Sequence, residues 1–196
     1  IVLALLAGAV AYVASRVAPL QGKVLALAAG AVMLLGGVMI ARGPVDQTFS
    51  CTWVDLGANV TLTVDLARTS LGMVVMIAAA AFALLITVYS FAAMKGEYWE
   101  GKFYAYLIWA LAGTGIVALA GNLLVLLVGW ELVTLMLFLM INQGTGDARS
   151  GAAKAYGILG FADACLLLAV ALLIGQGGTK MLSLTAAPIS VGSMGA

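Results

Sequence analysis

Residues 120–143, AGNLLVLLVGWELVTLMLFLMINQ, constrain most strongly what this chain can fold into. One charged residue, Glu131, stands near the middle of an otherwise apolar run. A run of this length crosses a bilayer as a helix, because a helix satisfies its own backbone hydrogen bonds in hydrocarbon. At a rise of ~1.5 Å per residue, Glu131 lies roughly 15 Å from either end, near the bilayer centre. An ionised side chain there costs about 2.5–3.5 kcal/mol on insertion scales. Such a residue normally faces protein or water, which makes Glu131 the first candidate for function.

Composition points the same way. Of 196 residues, 64% are hydrophobic and 9% charged, against roughly 25% charged in a soluble domain. The chain reads as a polytopic membrane protein. Its net charge of +1 gives no argument for nucleic acid as a partner. With no His in the sequence, a His-based metal site, proton relay or triad is excluded. Cys51 and Cys165 fall in different elements and match no metal spacing, so both read as structural and no disulfide is expected. The chain opens on Ile1 with no positively charged segment before its apolar run, so a cleaved signal peptide is not expected.

Hydropathy and breakers divide the chain into helices over about 1–18, 22–41, 68–93, 103–119, 120–142 and 150–175, with a tail over 176–196. The second helix is rich in Gly and Ala, which read as close helix packing in lipid and not as a phosphate-binding loop. Residues 43–66 differ. Gly43 and Pro44 end a helix. Phe49, Cys51 and Trp53 then alternate with polar residues, as do Val60, Leu62 and Val64, with turn chemistry at Asp55, Gly57 and Asn59. A small β-hairpin outside the bilayer is expected. Tyr98 and Trp99 read as interface anchors in a short linker. With the N-terminus outside, inner segments hold Arg16, Lys23, Lys95, Lys102, Arg149 and Lys154, and outer ones hold Arg42, Arg68 and Lys180. That bias puts the hairpin on the outer face. The expected fold is an all-α polytopic membrane protein of about six transmembrane helices with a small extracytoplasmic β-hairpin.

Three ionisable groups fall inside expected spans: Glu131, Lys154 and Asp163. Lys154 lies about one turn inside the sixth helix, where a structural reading has it snorkel to the inner surface. For Asp163 the structural reading is a protonated carboxyl bonded across a helix contact over Gly157 and Gly160. Glu131 is too deep to snorkel easily and has no charged neighbour one turn away on its own helix. Lys154 and Asp163 are nine residues apart, which at 100° per residue places them on opposite faces. A partner for Glu131 must therefore come from another helix or another chain. A buried carboxyl with a movable cationic partner is a proton-loading site needing no cofactor and no nucleophile.

The stretch NLLVLLVGWELVTLMLFLMI, residues 122–141, resembles the fifth helix of the antiporter-like membrane subunits of respiratory complex I. Membrane-bound group 4 hydrogenases and Mrp-type cation/proton antiporters share that family. AAKAYGILGFADACLLLAV, residues 152–170, resembles the family's sixth helix, with its Lys and the Asp nine residues later. VDLARTSLGMVVMIAAAAFALLITVYS, residues 64–90, resembles its third. The resemblance covers about 45–175. It implies that Glu131 is the acid of a Lys–Glu pair and that Lys154 and Asp163 accompany it in proton translocation. Gly160 stands where many relatives carry an Arg, and the seventh helix that would bring the partner Lys lies beyond this sequence. The implied protein is the N-terminal portion of a proton-translocating subunit, or a half-length one, in a redox-driven membrane complex. Quinone, flavin and iron–sulfur chemistry would sit on other chains, so no cofactor is expected on this one. Its partners would be the lipid bilayer, other membrane subunits, and protons or Na⁺. The expected location is a bacterial or archaeal cytoplasmic membrane, or an organelle inner membrane. The alternatives are an Mrp-type Na⁺/H⁺ antiporter subunit and a non-transporting membrane scaffold.

Overall fold

A computed structural model describes residues 2–14, 19–43, 48–55, 61–144, 146–177 and 182–184. Six helices and one hairpin follow in chain order: α1 (Val2–Ala14), α2 (Pro19–Ala41), β1 (Thr48–Asp55), β2 (Thr61–Ala67), α3 (Ser70–Ala93), α4 (Glu100–Ala118), α5 (Leu123–Asn142) and α6 (Ala148–Gly177). The strands pair antiparallel, with Cys51 opposite Val64 and an irregularity between Thr52 and Val54. The turn expected at Gly57 and Asn59 lies outside the described residues.

Local chemistry sets the helix ends. Thr69 caps α3 by accepting from the Gly72 amide at 3.0 Å. Arg68 donates to the Ala41 carbonyl at 2.7 Å, satisfying a last-turn acceptor of α2. Between α3 and α4 the chain turns at Gly96, whose φ of 87° suits glycine. Contacts at the two ends show that α3 to α6 alternate in direction. Ala67 bonds Leu119 at the hairpin end, and Tyr98 bonds the Gln143 carbonyl at the other.

Of the six expected spans, fewer than six have on their own the length and apolarity of a membrane crossing. Only α2 from Gln21, α3, α5 and α6 to Gly175 are long and apolar enough to cross a membrane among the described residues. The 13 residues described for α1 reach only ~20 Å, short of the ~30 Å hydrocarbon core. In α4, Glu100 and Lys102 occupy the first turn, and Tyr104, Tyr106 and Trp109 lower its apolarity further. The reason is packing: α4 is the central helix, in contact with α1, α2, α3 and α5. Ala11, Ala26, Ala29, Tyr104, Ala105 and Ile108 form one buried cluster around it. Met33, Met73, Met76, Ala80, Leu111 and Ala112 belong to another. The outer faces are apolar, with Leu71, Phe82, Ile158 and Phe161 all exposed, as a lipid or subunit environment requires.

Candidate functional site

Helix α5 carries Glu131, and its position is fixed from its first residue. Asn122 is the N-cap, its Oδ1 accepting from the Val125 amide at 2.8 Å. Two residues before Glu131 the helix meets α4 at very short range. A Cβ placed on Gly129 would sit 3.0 Å from the Gly113 carbonyl oxygen and 2.9 Å from both Ile116 Cγ2 and Val117 Cγ2. Two facing glycines therefore let the backbones touch, as small residues do between membrane helices.

Helix α6 packs on α5 along one narrow stripe. Its buried residues with described side chains are Ala152, Asp163 and Val170. Steps of eleven and seven residues return to the same face within about 20° at 100° per residue. Phe138 of α5 stacks on Tyr156 of α6 at 4.8 Å between centroids. Asp163 is 6% exposed and points into this seam, its Oδ2 buried without a hydrogen-bond partner. Glu131 is half-buried and close enough for its carboxyl to feel the charge of Asp163. The fold thus brings together two of the three sequence candidates. Lys154 is exposed on the opposite side of α6, as the nine-residue spacing requires.

Among the described residues, the charged neighbour of Glu131 is therefore a second carboxyl. Nothing described lies against Gly157 or Gly160. The expectation that Asp163 faces a neighbour across those glycines is corrected, because Asp163 itself lies on the stripe that meets α5. Among the described residues, no group of three or more His, Cys, Asp or Glu could hold a metal ion. Cys51 and Cys165 are both free and exposed.

Two polar groups escaped the sequence reading. Lys23 of α2 pairs with Glu100 of α4 at 2.6 Å, both largely buried, with Lys23 also 5.7 Å from the Phe91 ring centre. The second is Asp65 on β2. Burial pushes its carboxyl up, but hydrogen bonds from Ser50, Thr63 and Asn122 outweigh this and hold it below the ordinary value of 3.8. The available signal was Asn122, a good N-cap residue directly before an apolar run.

No protein-family model matches the chain. NADH-quinone oxidoreductase subunit L of Escherichia coli (strain K12) is 33% identical over 159 residues, 78% of this chain and 25% of its own length. Subunit N 1 of the same enzyme from Symbiobacterium thermophilum is 31% identical over 186 residues, 92% of this chain and 35% of its own. The chain is a homologue of these antiporter-like subunits. It spans a quarter to about a third of their length. Among solved structures, the Mrp complex from a Dietzia species superposes with a TM-score of 0.77 at 23% identity, over 95% of this chain and 20% of that one. The membrane-bound sulfane sulfur reductase, an archaeal respiratory membrane complex, superposes with a TM-score of 0.74 at 17% identity, over 93% and 37%. At those identities the two structures show that the fold is shared.

Proposed function

We propose that this chain is the N-terminal portion, or a half-length form, of a proton-translocating subunit in a redox-driven membrane complex. The observation that carries the reading is the pairing of Glu131 and Asp163 in one seam between two apolar helices. A carboxyl on each of two packed apolar helices is costly to keep there unless it serves a function. A cation brought to the seam by a further helix would bias proton binding at Glu131, which is the elementary step of proton loading. Lys154, on the far face of α6, serves proton delivery or contact with a neighbouring subunit. The relatives are subunits of a quinone oxidoreductase, which supports partner membrane subunits carrying the redox chemistry. The expected location is a bacterial or archaeal cytoplasmic membrane.

The test uses the assembled complex in proteoliposomes, with proton uptake measured per electron transferred. Glu131→Gln keeps shape and hydrogen bonding but removes titration. It is expected to assemble normally and lose pumping, while Glu131→Asp keeps part of it. Wild-type stoichiometry in Glu131→Gln at normal subunit content would leave Glu131 a structural residue.

One observation favours a second reading. Two carboxylates in one seam also suit a monovalent cation, and the fold is shared with an Mrp complex. Transport that requires Na⁺ and proceeds without electron transfer would select that reading over the first.

A further inference from the structure

We propose that Asp65, on the hairpin, is a positioning residue for the Glu131 site: with Asn122 it forms a clasp that fixes the height and rotation of α5. The inference rests on the proton-binding reading of Glu131 and extends it to a residue at the far end of the helix.

The Asp65 carboxylate accepts from Ser50 Oγ at 2.5 Å, Thr63 Oγ1 at 2.7 Å and Asn122 Nδ2 at 2.7 Å. Asn122 spends its whole amide group here. Its oxygen caps α5, and its nitrogen also donates to the Thr63 carbonyl at 2.8 Å. The backbone adds a second layer. The Gly121 amide donates to the Asp65 carbonyl at 2.7 Å, and the Ala67 amide to the Leu119 carbonyl at 2.8 Å. A side chain on Gly121 would stand 3.0 Å from Asp65 Cβ and from its carbonyl oxygen, so the close approach needs glycine. From the other side the Leu184 amide donates to the Gly121 carbonyl at 2.9 Å, with Leu182 buried beside it.

Charge-assisted bonds of this kind are about twice as strong as neutral ones, and the carboxylate sits at the helix end where the macrodipole favours it. Glu131 is nine residues below Asn122 on one uninterrupted helix, about 13.5 Å along the axis. A slip of one residue at the cap would lower Glu131 by ~1.5 Å and turn it by ~100°, out of register with Asp163. A clasp that forbids the slip therefore sets the carboxyl–carboxyl geometry.

The experiment reads Glu131 directly, in the membrane-embedded complex, by the infrared band of its protonated carboxyl. The band is assigned by its loss in Glu131→Gln and titrated with pH. Asn122→Ser keeps a capping oxygen but loses both amide donors, and Asp65→Ala removes the acceptor. Both are expected to displace the midpoint by about one pH unit or more, with subunit content unchanged. Asp65→Asn, which keeps the shape and loses the charge, replaces Asp65→Ala if the truncation fails to assemble. A Glu131 band that titrates as in wild type in Asn122→Ser and in the Asp65 variant overturns the clasp and leaves Asp65 an anchor for the hairpin alone. Absence of any Glu131 titration between about pH 4 and pH 10 overturns the proton-binding reading beneath it.

Discussion

Gly129→Ala tests whether the short approach of α4 and α5 is what seats the helix that carries Glu131. The added methyl would stand 2.9 Å from Ile116 Cγ2 and from Val117 Cγ2, and 3.0 Å from the Gly113 carbonyl oxygen. Carbon contacts relax at about 3.5–4.0 Å, so between ~0.6 and ~1 Å of room must be found. Two of the obstacles are β-branched side chains with few rotamers. The third is backbone, so α5 itself has to move. Overpacking of this kind costs about 1–3 kcal/mol, offset by about 1 kcal/mol of better helix propensity for alanine over glycine. The net is a loss of about 0–2 kcal/mol. Gly157→Ala is the control, because nothing lies within 4 Å of the new methyl and only the propensity gain remains. The two variants should therefore differ by about 1–3 kcal/mol in reversible unfolding of the chain in mixed micelles, followed by far-UV circular dichroism. Equal stability would refute the claim that these glycines set the α4–α5 distance.

Cysteines placed at Asp55 and Gly146 are expected to react with impermeant reagents from opposite faces of the membrane, because α3, α4 and α5 lie between them; labelling from the same face would mean that α4 does not cross. The clasp is expected to be acid-sensitive. Since the folded value of Asp65 lies below 3.8, its contribution is fully present above pH 3.8 and is lost as pH falls through that lower value. Hydrogen exchange over 61–67, corrected for intrinsic rate, should stay slow at about pH 5 and speed up well below pH 3.8, with the step abolished in Asp65→Ala; the same step in Asp65→Ala would assign it to another group.

Periodicity carried the local elements and failed on what joins them. Alternation at Phe49, Cys51 and Trp53 located β1, yet the irregularity at Thr52 and Val54 leaves no mark in a pattern of period two. The 3.6-residue period separated Lys154 from Asp163, and the structure has one exposed and the other buried. It could not say which neighbour Asp163 would meet, because that depends on how α5 and α6 pack. Lys23 entered the sequence reading only as an inner-side charge, with no partner named. Only the tertiary fold makes Lys23 and Glu100 a buried pair. The tail read as featureless, but Leu182 is buried and Ser183 bridges Asn122, a contact made by backbone atoms that residue types do not encode. Helix α4 is less apolar for the converse reason: a central helix is shielded by protein and can carry Tyr, Trp and Gly that a lipid-facing helix avoids.

The two carboxyls of the seam are held to unequal degrees, and that asymmetry bears on how the site works. Helix α5 is fixed at three levels: by Asp65 and Asn122 at its start, by Gly113 against Gly129 above Glu131, and by Tyr98 donating to Gln143 at its end. Among the described residues α6 is held along the stripe of Ala152, Asp163 and Val170 and by Tyr156 against Phe138, and most of its surface is exposed. An element with few buried contacts is the one that moves at low cost. Glu131 is then the stationary member and Asp163 the movable one. A displacement of α6 by a neighbouring subunit would change the distance between them, and with it the charge each carboxyl experiences. Coulomb energy in a medium of low effective permittivity is steep at short separation, so on the proton-binding reading proposed above a small shift of α6 is expected to change the proton occupancy of Glu131.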